Sequence, residues 1–270
     1  MTTIVGIAGI TDRIGHLIGA SLATNPEVKV RGYGRDEKRL HSDLQGKVQF
    51  TTGQADERAA LRAFVRGCDV IVCTYWGDHD LMINGQKRLV DLCEEEKICA
   101  YLKSKETVQG VHILNSWFME LVWSRHAFLW DHDTRTANYW GDGDEVWEAT
   151  TLLNITDYTA TVALDREAVG FQSFLGDRKS FRDIVATMED VYKIKIKTKR
   201  QGSLAELSDQ MKAQNYHPVL YVQAGMYCML NRQCKLPDAL DNAKYPQVKP
   251  VTYEKFLQNT RLEDLPTLAG

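Results

Sequence analysis

The stretch from Thr3 to Tyr33 constrains the fold of this chain more than any other. Thr3 to Ala8 is a short apolar run followed by a glycine-containing turn. Ile14, Leu17, Ile18 and Leu22 then recur at helical spacing, and the helix they predict stops before Asn25-Pro26. Val28 to Tyr33 reads as a second strand. Strand, glycine turn, helix and strand in so short a span make one β-α-β unit, whose strands lie parallel.

The alternation continues. A strand is predicted at Val48–Thr52, an amphipathic helix at Glu57–Arg66 and a strand at Asp69–Thr74. The last is a continuous apolar run, as in parallel sheets buried on both faces. Leu81–Glu96 is a further helix. The fold class expected is α/β, a Rossmann-type doubly wound parallel sheet. Beyond this point the pattern falters. Val111–Leu114 reads as a sixth strand, but Lys97–Thr107 looks helical and no fifth strand precedes it. Either the sheet is shortened there or a segment is missing.

From Asn115 the character changes. Trp117, Phe118, Trp123, Phe128, Trp130, Tyr139, Trp140 and Trp147 crowd together. Phe171–Leu175 is expected to return a strand to the sheet, Ser180–Val191 to be a helix, and the alternating run KIKIKTKR (193–200) to be an edge strand. In that strand Ile194, Ile196 and Thr198 share one face and the lysines the other, which argues against a nucleic-acid patch. Helices follow at Ser203–Ala213, Val219–Asn231 and after Thr252. The expected organisation is a Rossmann domain over 1–114 and, over 115–270, mainly a smaller substrate-binding lobe, with the strand near 171–175 returning to the sheet.

Composition excludes several classes. With 44% hydrophobic and 26% charged residues and a formal net charge of −3 over 270 residues, neither disorder nor a polyanionic partner is suggested. Six cysteines without CxxC spacing point to reduced thiols rather than a disulfide framework or zinc. His126 and His132, with Asp131 and Asp133, match no metal-ligand spacing, so no metal is expected. No apolar run reaches membrane-spanning length and the N-terminus lacks a signal-peptide pattern, so a cytoplasmic protein is expected.

The first turn carries the chemistry. From Gly9 it has the spacing GxxGxxG, with Asp12 at the middle glycine position and Gly15 at the last. Glycines there permit a tight turn and let a helix N-terminus approach a pyrophosphate. Gly9, Ile10, Thr11, Asp12, Arg13, Ile14 and Gly15 are therefore candidate cofactor contacts. Asp12 at that position brings negative charge toward two phosphates, and it is expected instead to N-cap the helix starting at Arg13, with the pyrophosphate met by backbone amides and Arg13. After the second strand, NAD sites place a carboxylate for the ribose; here the sequence is Tyr33-Gly34-Arg35. A guanidinium suits a 2′-phosphate, and Lys38 and Arg39 add charge one turn on, so NADP(H) is the cofactor expected. Thr74, Tyr75 and Trp76 follow the fourth strand, at the carboxyl edge where such sheets bind ligands.

Several blocks together resemble the NmrA-like family, the atypical short-chain dehydrogenases that include isoflavone and pinoresinol reductases, and its fungal members in particular. They are IVGIAGITDRIG, RGYGRD, CDVIVCTYWGD, LMINGQKRLVDLC, GVHILNSWFMEL, the block from Tyr139 with Thr150 or Thr151 and Asp157, FLGDRKSFRDIVATMEDVY and NAKYPQVKPVTYEKFL. The resemblance implies a lysine acting as general acid or base at the start of the helix near residue 97. Lys97 is the nearest match, with Cys99 the competing position. It also places Trp117 and Phe118 beside the substrate, and Trp76 joins them as a substrate candidate from its position after the fourth strand. Two departures stand out: Asp12, and about two dozen residues of a β-loop-α unit that family members carry before Lys97. Tyr101 and Lys105 spell the YxxxK of ordinary short-chain dehydrogenases but sit at the end of a helix, where that pair does not act.

The expectation is an NADP(H)-binding reductase or related tailoring enzyme acting on an aromatic or polycyclic small molecule, with neither nucleic acid nor membrane as partner. A cofactor-retaining cyclase or isomerase of secondary metabolism is the first alternative. A redox-sensing regulator that binds a partner protein is the second.

Overall fold

In the computed structural model of the chain, which describes residues 2–78, 80–96, 110–123, 129–213 and 218–267, the N-terminal apolar run forms β1 (Thr3–Ala8). It leads through the glycine turn into α1 (Arg13–Ala23) and β2 (Val28–Gly34). β3 (Val48–Thr52), α2 (Arg58–Val65) and β4 (Val70–Cys73) follow, and then α3 (Gln86–Glu95) and β5 (Val111–Leu114). Next come β6 (Trp117–Phe118), α4 (Met119–Val122), β7 (Trp130–Asp131), β8 (Thr136–Trp140) and β9 (Val146–Thr150). The remainder is α5 (Leu152–Ala163), β10 (Gly170–Ser173), β11 (Asp177–Ser180), α6 (Phe181–Tyr192), β12 (Lys197–Gly202), α7 (Leu204–Ala213), α8 (Pro218–Leu230) and α9 (Tyr253–Gln258). The chain divides into two compact units, 1–113 with 156–172, and 114–155 with 173–270.

In the first unit four parallel strands stand in the order β3-β2-β1-β4. β1 is central, and its side chains alternate between two apolar layers. Val5 and Ile7 pack with Ile18 and Leu22 of α1 and Ala160 of α5, while Ala8 packs with Leu61 and Phe64 of α2 and Leu89 and Leu92 of α3. Helices thus cover both faces, as the continuous apolar strands require. β5 pairs with β10 in a separate two-stranded sheet, so the strand expected near 171–175 forms, at Gly170–Ser173, but is hydrogen-bonded to β5 rather than to the four-stranded sheet. In sequence, 97–109 stand between α3 and β5, and the helix expected at Lys97–Thr107 lies outside the described residues.

Two local expectations are corrected. The helix predicted from Leu81 opens as a π-helical turn over Asp80–Gly85 and becomes α-helical only at Gln86. Asp78 accepts from Leu81 N at 2.9 Å, and Asp80 accepts from Asn84 and Arg88, so side chains shape this start. The run KIKIKTKR is a strand only from Lys197. α6 ends one residue later than expected, on Lys193 in the left-handed region (φ 53°). Glu189 then holds the exit, its backbone oxygen accepting from Ile194 N and its carboxylate from Ile196 N. β12 is an edge strand, parallel to β8, with exposed lysines.

The second unit has two three-stranded sheets, β11-β9-β6 and β12-β8-β7. Its core gathers Trp123, Trp130, Trp147, Phe181, Met188, Tyr253 and Leu257. Glu148, only 4% exposed, is held there by Arg178 (Nε–Oε1 2.7 Å) and by Leu236 N (2.8 Å).

Candidate functional site

The turn after β1 is built by close approach. Gly9 has φ +94°, a conformation that side chains resist, and a Cβ there would lie 2.7 Å from the Thr74 hydroxyl. Its carbonyl accepts from Asp12 N at 2.9 Å, closing the turn, and from the Thr74 hydroxyl at 3.2 Å. At Gly15 a Cβ would lie 2.3 Å from the Gly9 oxygen, so the first turn of α1 reaches the strand end only because Gly15 has none. Ile10 is fully buried, and Thr11, Asp12 and Ile14 are half-buried. Arg13 is exposed. The start of α1, with the N–H groups of its first turn, stands at this end of the strand. Asp12 occupies the N-cap position in extended conformation, but its side chain makes no capping bond. The capping role expected of it is therefore corrected: the carboxylate is not consumed by the helix.

The strand register brings the other predicted residues to the same edge. Ala8 pairs with Tyr33 of β2 and with Cys73 of β4, so all three strands end level. Gly34 was not foreseen as part of the site. A Cβ there would stand 3.2 Å from the Thr11 hydroxyl, so the end of β2 lies directly against the turn. Its only sequence signal is the glycine preceding Arg35. Arg35 and Lys38 are exposed, and neither has an ion-pair partner among the described residues. Asp36 caps the next turn by accepting from Lys38 N at 3.0 Å. On the far side of β1, Thr74 donates to the Ala8 oxygen at 3.1 Å. Tyr75 packs inward with its hydroxyl buried, and that burial raises its phenol well above the ordinary range, while Trp76 is 73% exposed.

Lys97, Cys99, Tyr101 and Lys105 lie outside the described residues, as does His126. Trp117 and Phe118 form β6 in the second unit and are half-buried. Trp117 meets Trp147 edge-on at 6.0 Å and fits against α8 where Gly225 leaves room. Trp123, Trp130 and Trp147 are core residues, and Tyr139 and Trp140 pack on that core. Much of the aromatic cluster is thus structural, because such large apolar surfaces build a core most effectively. An open cavity of 440 Å³ in the second unit, lined by His132, Asp133, Arg135, Leu262 and Glu263, lacks the apolar walls of a small-molecule site.

Residues 9–107 match a family described as NAD(P)H-binding. No curated protein matches the sequence significantly. Among solved structures, the pinoresinol-lariciresinol and phenylcoumaran benzylic ether reductases align with a TM-score of 0.75 over 96% of this chain and 99% of theirs, at 16% identity. A quinone oxidoreductase from Escherichia coli, complexed with NADPH, aligns at 0.73 over 94% of this chain and 98% of its own, at 12% identity. The fold is Rossmann-type. A nucleoside-diphosphate-sugar epimerase from Staphylococcus aureus aligns equally well, with a TM-score of 0.74, 14% identity and coverage of 96% and 100%. One architecture therefore serves several reactions, and function must be argued from the site. These likenesses show the fold, and the match over residues 9–107 agrees with the NAD(P)H-binding reading of the sequence.

Proposed function

We propose that this protein is an NADP(H)-dependent reductase of the NmrA-like type acting on an aromatic or polycyclic small molecule. The observation that carries the proposal is the level sheet edge where Gly9, Gly34 and Thr74 meet, with a free arginine where NAD-specific sites need a carboxylate. The missing Cβ atoms of Gly9 and Gly15 let the turn close against Thr74 and bring the start of α1 up to the strand end, where N–H donors of the turn and of α1 would meet a diphosphate. Arg35 and Lys38 would hold the 2′-phosphate, Arg35 by paired hydrogen bonds. Bound there, the nicotinamide supplies or accepts a hydride. Thr74 and Tyr75 shape the edge, Trp76 offers an exposed apolar face to cofactor or substrate, and Lys97 is the candidate proton donor. Trp117 and Phe118 are the candidate substrate contacts of the second unit. The uncapped Asp12 carboxylate is the one group in the turn that opposes a diphosphate.

The test is a titration with NADP⁺, NADPH, NAD⁺ and NADH, followed by tryptophan quenching. Binding of the phosphorylated pair is expected, with Arg35→Ala weakening it about ten- to a hundredfold, as loss of charge-assisted hydrogen bonds predicts. Binding of NAD(H) should hardly change in that variant. Absence of binding to any of the four would reject the proposal. Strong preference for one redox state without turnover of any substrate would favour the redox-sensing alternative.

A further inference from the structure

A second group of side chains, separate in chemistry from the cofactor turn, has the composition of a metal site. His16 stands on α1, and His41 and Asp43 stand on the segment that follows the turn Glu37–Arg39. The Asp43 carboxylate lies 3.1 Å from His16 Nε2 through both oxygens and 2.6 Å from His41 Nδ1. The two imidazoles stack with centroids 4.1 Å apart. One ligand atom from each of the three residues falls within 4.8 Å of the others, the one such group among the described residues. The arrangement is anchored from below. Leu40 and Leu44, flanking His41 and Asp43, are buried in the layer that α1 covers, and Gly19 of α1 leaves room for Leu44. His41 and Asp43 are therefore pinned opposite His16 by packing rather than by their own hydrogen bonds.

From this geometry we propose that His16, His41 and Asp43 bind a zinc-class divalent cation, with water in a fourth position. Two imidazole nitrogens and one carboxylate oxygen are a zinc donor set, with bonds of about 2.0–2.2 Å. Ligand atoms around such a tetrahedral ion stand about 3.3 Å apart. The His16–Asp43 spacing is already near that value, and the His41–Asp43 contact must open slightly. Side chains of His41 and Asp43 are 60% and 45% exposed, so they can separate without disturbing the core. The two carboxylate oxygens can accept from both imidazoles, so what points to an ion is that two imidazole nitrogens and a carboxylate oxygen from distant segments gather within 4.8 Å over a packed base. The ion would tie α1 to the segment after Arg39, bracing the stretch that carries Arg35 and Lys38.

The full chain, freed of metal by chelation, is titrated with zinc chloride calorimetrically and with cobalt chloride spectroscopically. One zinc per chain is expected. His16→Ala, His41→Ala and Asp43→Ala should each weaken binding by more than about tenfold, since even the partners of metal ligands are worth that much. His132→Ala should leave affinity unchanged. Zinc should raise the melting temperature of the wild type but not of Asp43→Ala, because it stabilises only the state it binds. Cobalt should give visible bands without thiolate charge transfer. If a core-adjacent variant fails to fold, the exposed His41→Ala still decides. No heat on zinc addition, unchanged affinity in His41→Ala, or a thiolate band pointing to Cys228 and Cys234 would each overturn the proposal.

Discussion

Two glycines carry the candidate site at the level of single residues, and for different reasons. Gly9 needs its backbone conformation, φ +94°, whereas Gly15 needs its missing side chain. An added methyl at Gly15 would press on the Gly9 carbonyl at 2.3 Å and on the Thr74 hydroxyl at 2.8 Å. Neither neighbour can yield cheaply: one is backbone, and the other is held by two hydrogen bonds. Gly15→Ala is therefore expected to cost about 1–3 kcal/mol in stability, the range for overpacking, and to abolish NADPH binding. Thermal melting and cofactor titration check the two effects separately. Full binding in a destabilised variant would mean the turn does not hold the pyrophosphate. Arg35 behaves oppositely, being exposed and unpaired, so its removal should touch affinity and leave melting unchanged.

Among the elements, α6 shows how local signals set helix ends. Ser180 accepts from Asp183 N at 3.1 Å and donates to the Asp183 carboxylate at 2.7 Å, so each residue holds the other at the first turn. Ser180→Ala should cost about 1 kcal/mol. Its midpoint in urea should fall while the dependence on urea concentration stays constant; a changed slope would instead signal altered compactness of the unfolded or native state. Lys193 ends the same helix in the left-handed region. That turn consumes the first part of KIKIKTKR, so alternation alone misplaces the start of β12. The pattern of apolar Ile194 and Ile196 is real, since both are half-buried and Ile196 packs on the core, but they stand in a loop rather than in a ladder.

Across the whole chain the two units rest on different interiors. The first is a parallel sheet between helix layers, and the second has an aromatic core and, beside it, a buried carboxylate. Glu148 is that carboxylate, accepting from Arg178 and from the backbone of Leu236. Glu148→Ala leaves a guanidinium and a buried N–H without their acceptor. We expect a loss of about 2–4 kcal/mol, below the full cost of breaking a buried pair because water reaches Arg178, which is 35% exposed. Urea unfolding followed by tryptophan fluorescence reads this unit well, since Trp123, Trp130 and Trp147 all lie in its core. A loss under about 0.5 kcal/mol, the size of an ordinary surface substitution, would contradict the role assigned to Glu148.

The sequence by itself determined what short windows encode. β1, β3 and β5 fall at Thr3–Ala8, Val48–Thr52 and Val111–Leu114 as predicted, because short runs rich in β-branched and aromatic residues admit little else. The glycine turn, the helix after it and the arginine after β2 were equally legible, since each is fixed by neighbours a few residues away. Only the tertiary structure decided which tryptophans build a core, that Gly34 rests on Thr11, that Asp12 makes no capping bond, and that His16 faces His41 and Asp43. The physical reason is the same each time. Local periodicity records which side chains leave water, whereas packing between distant segments decides which of them meet.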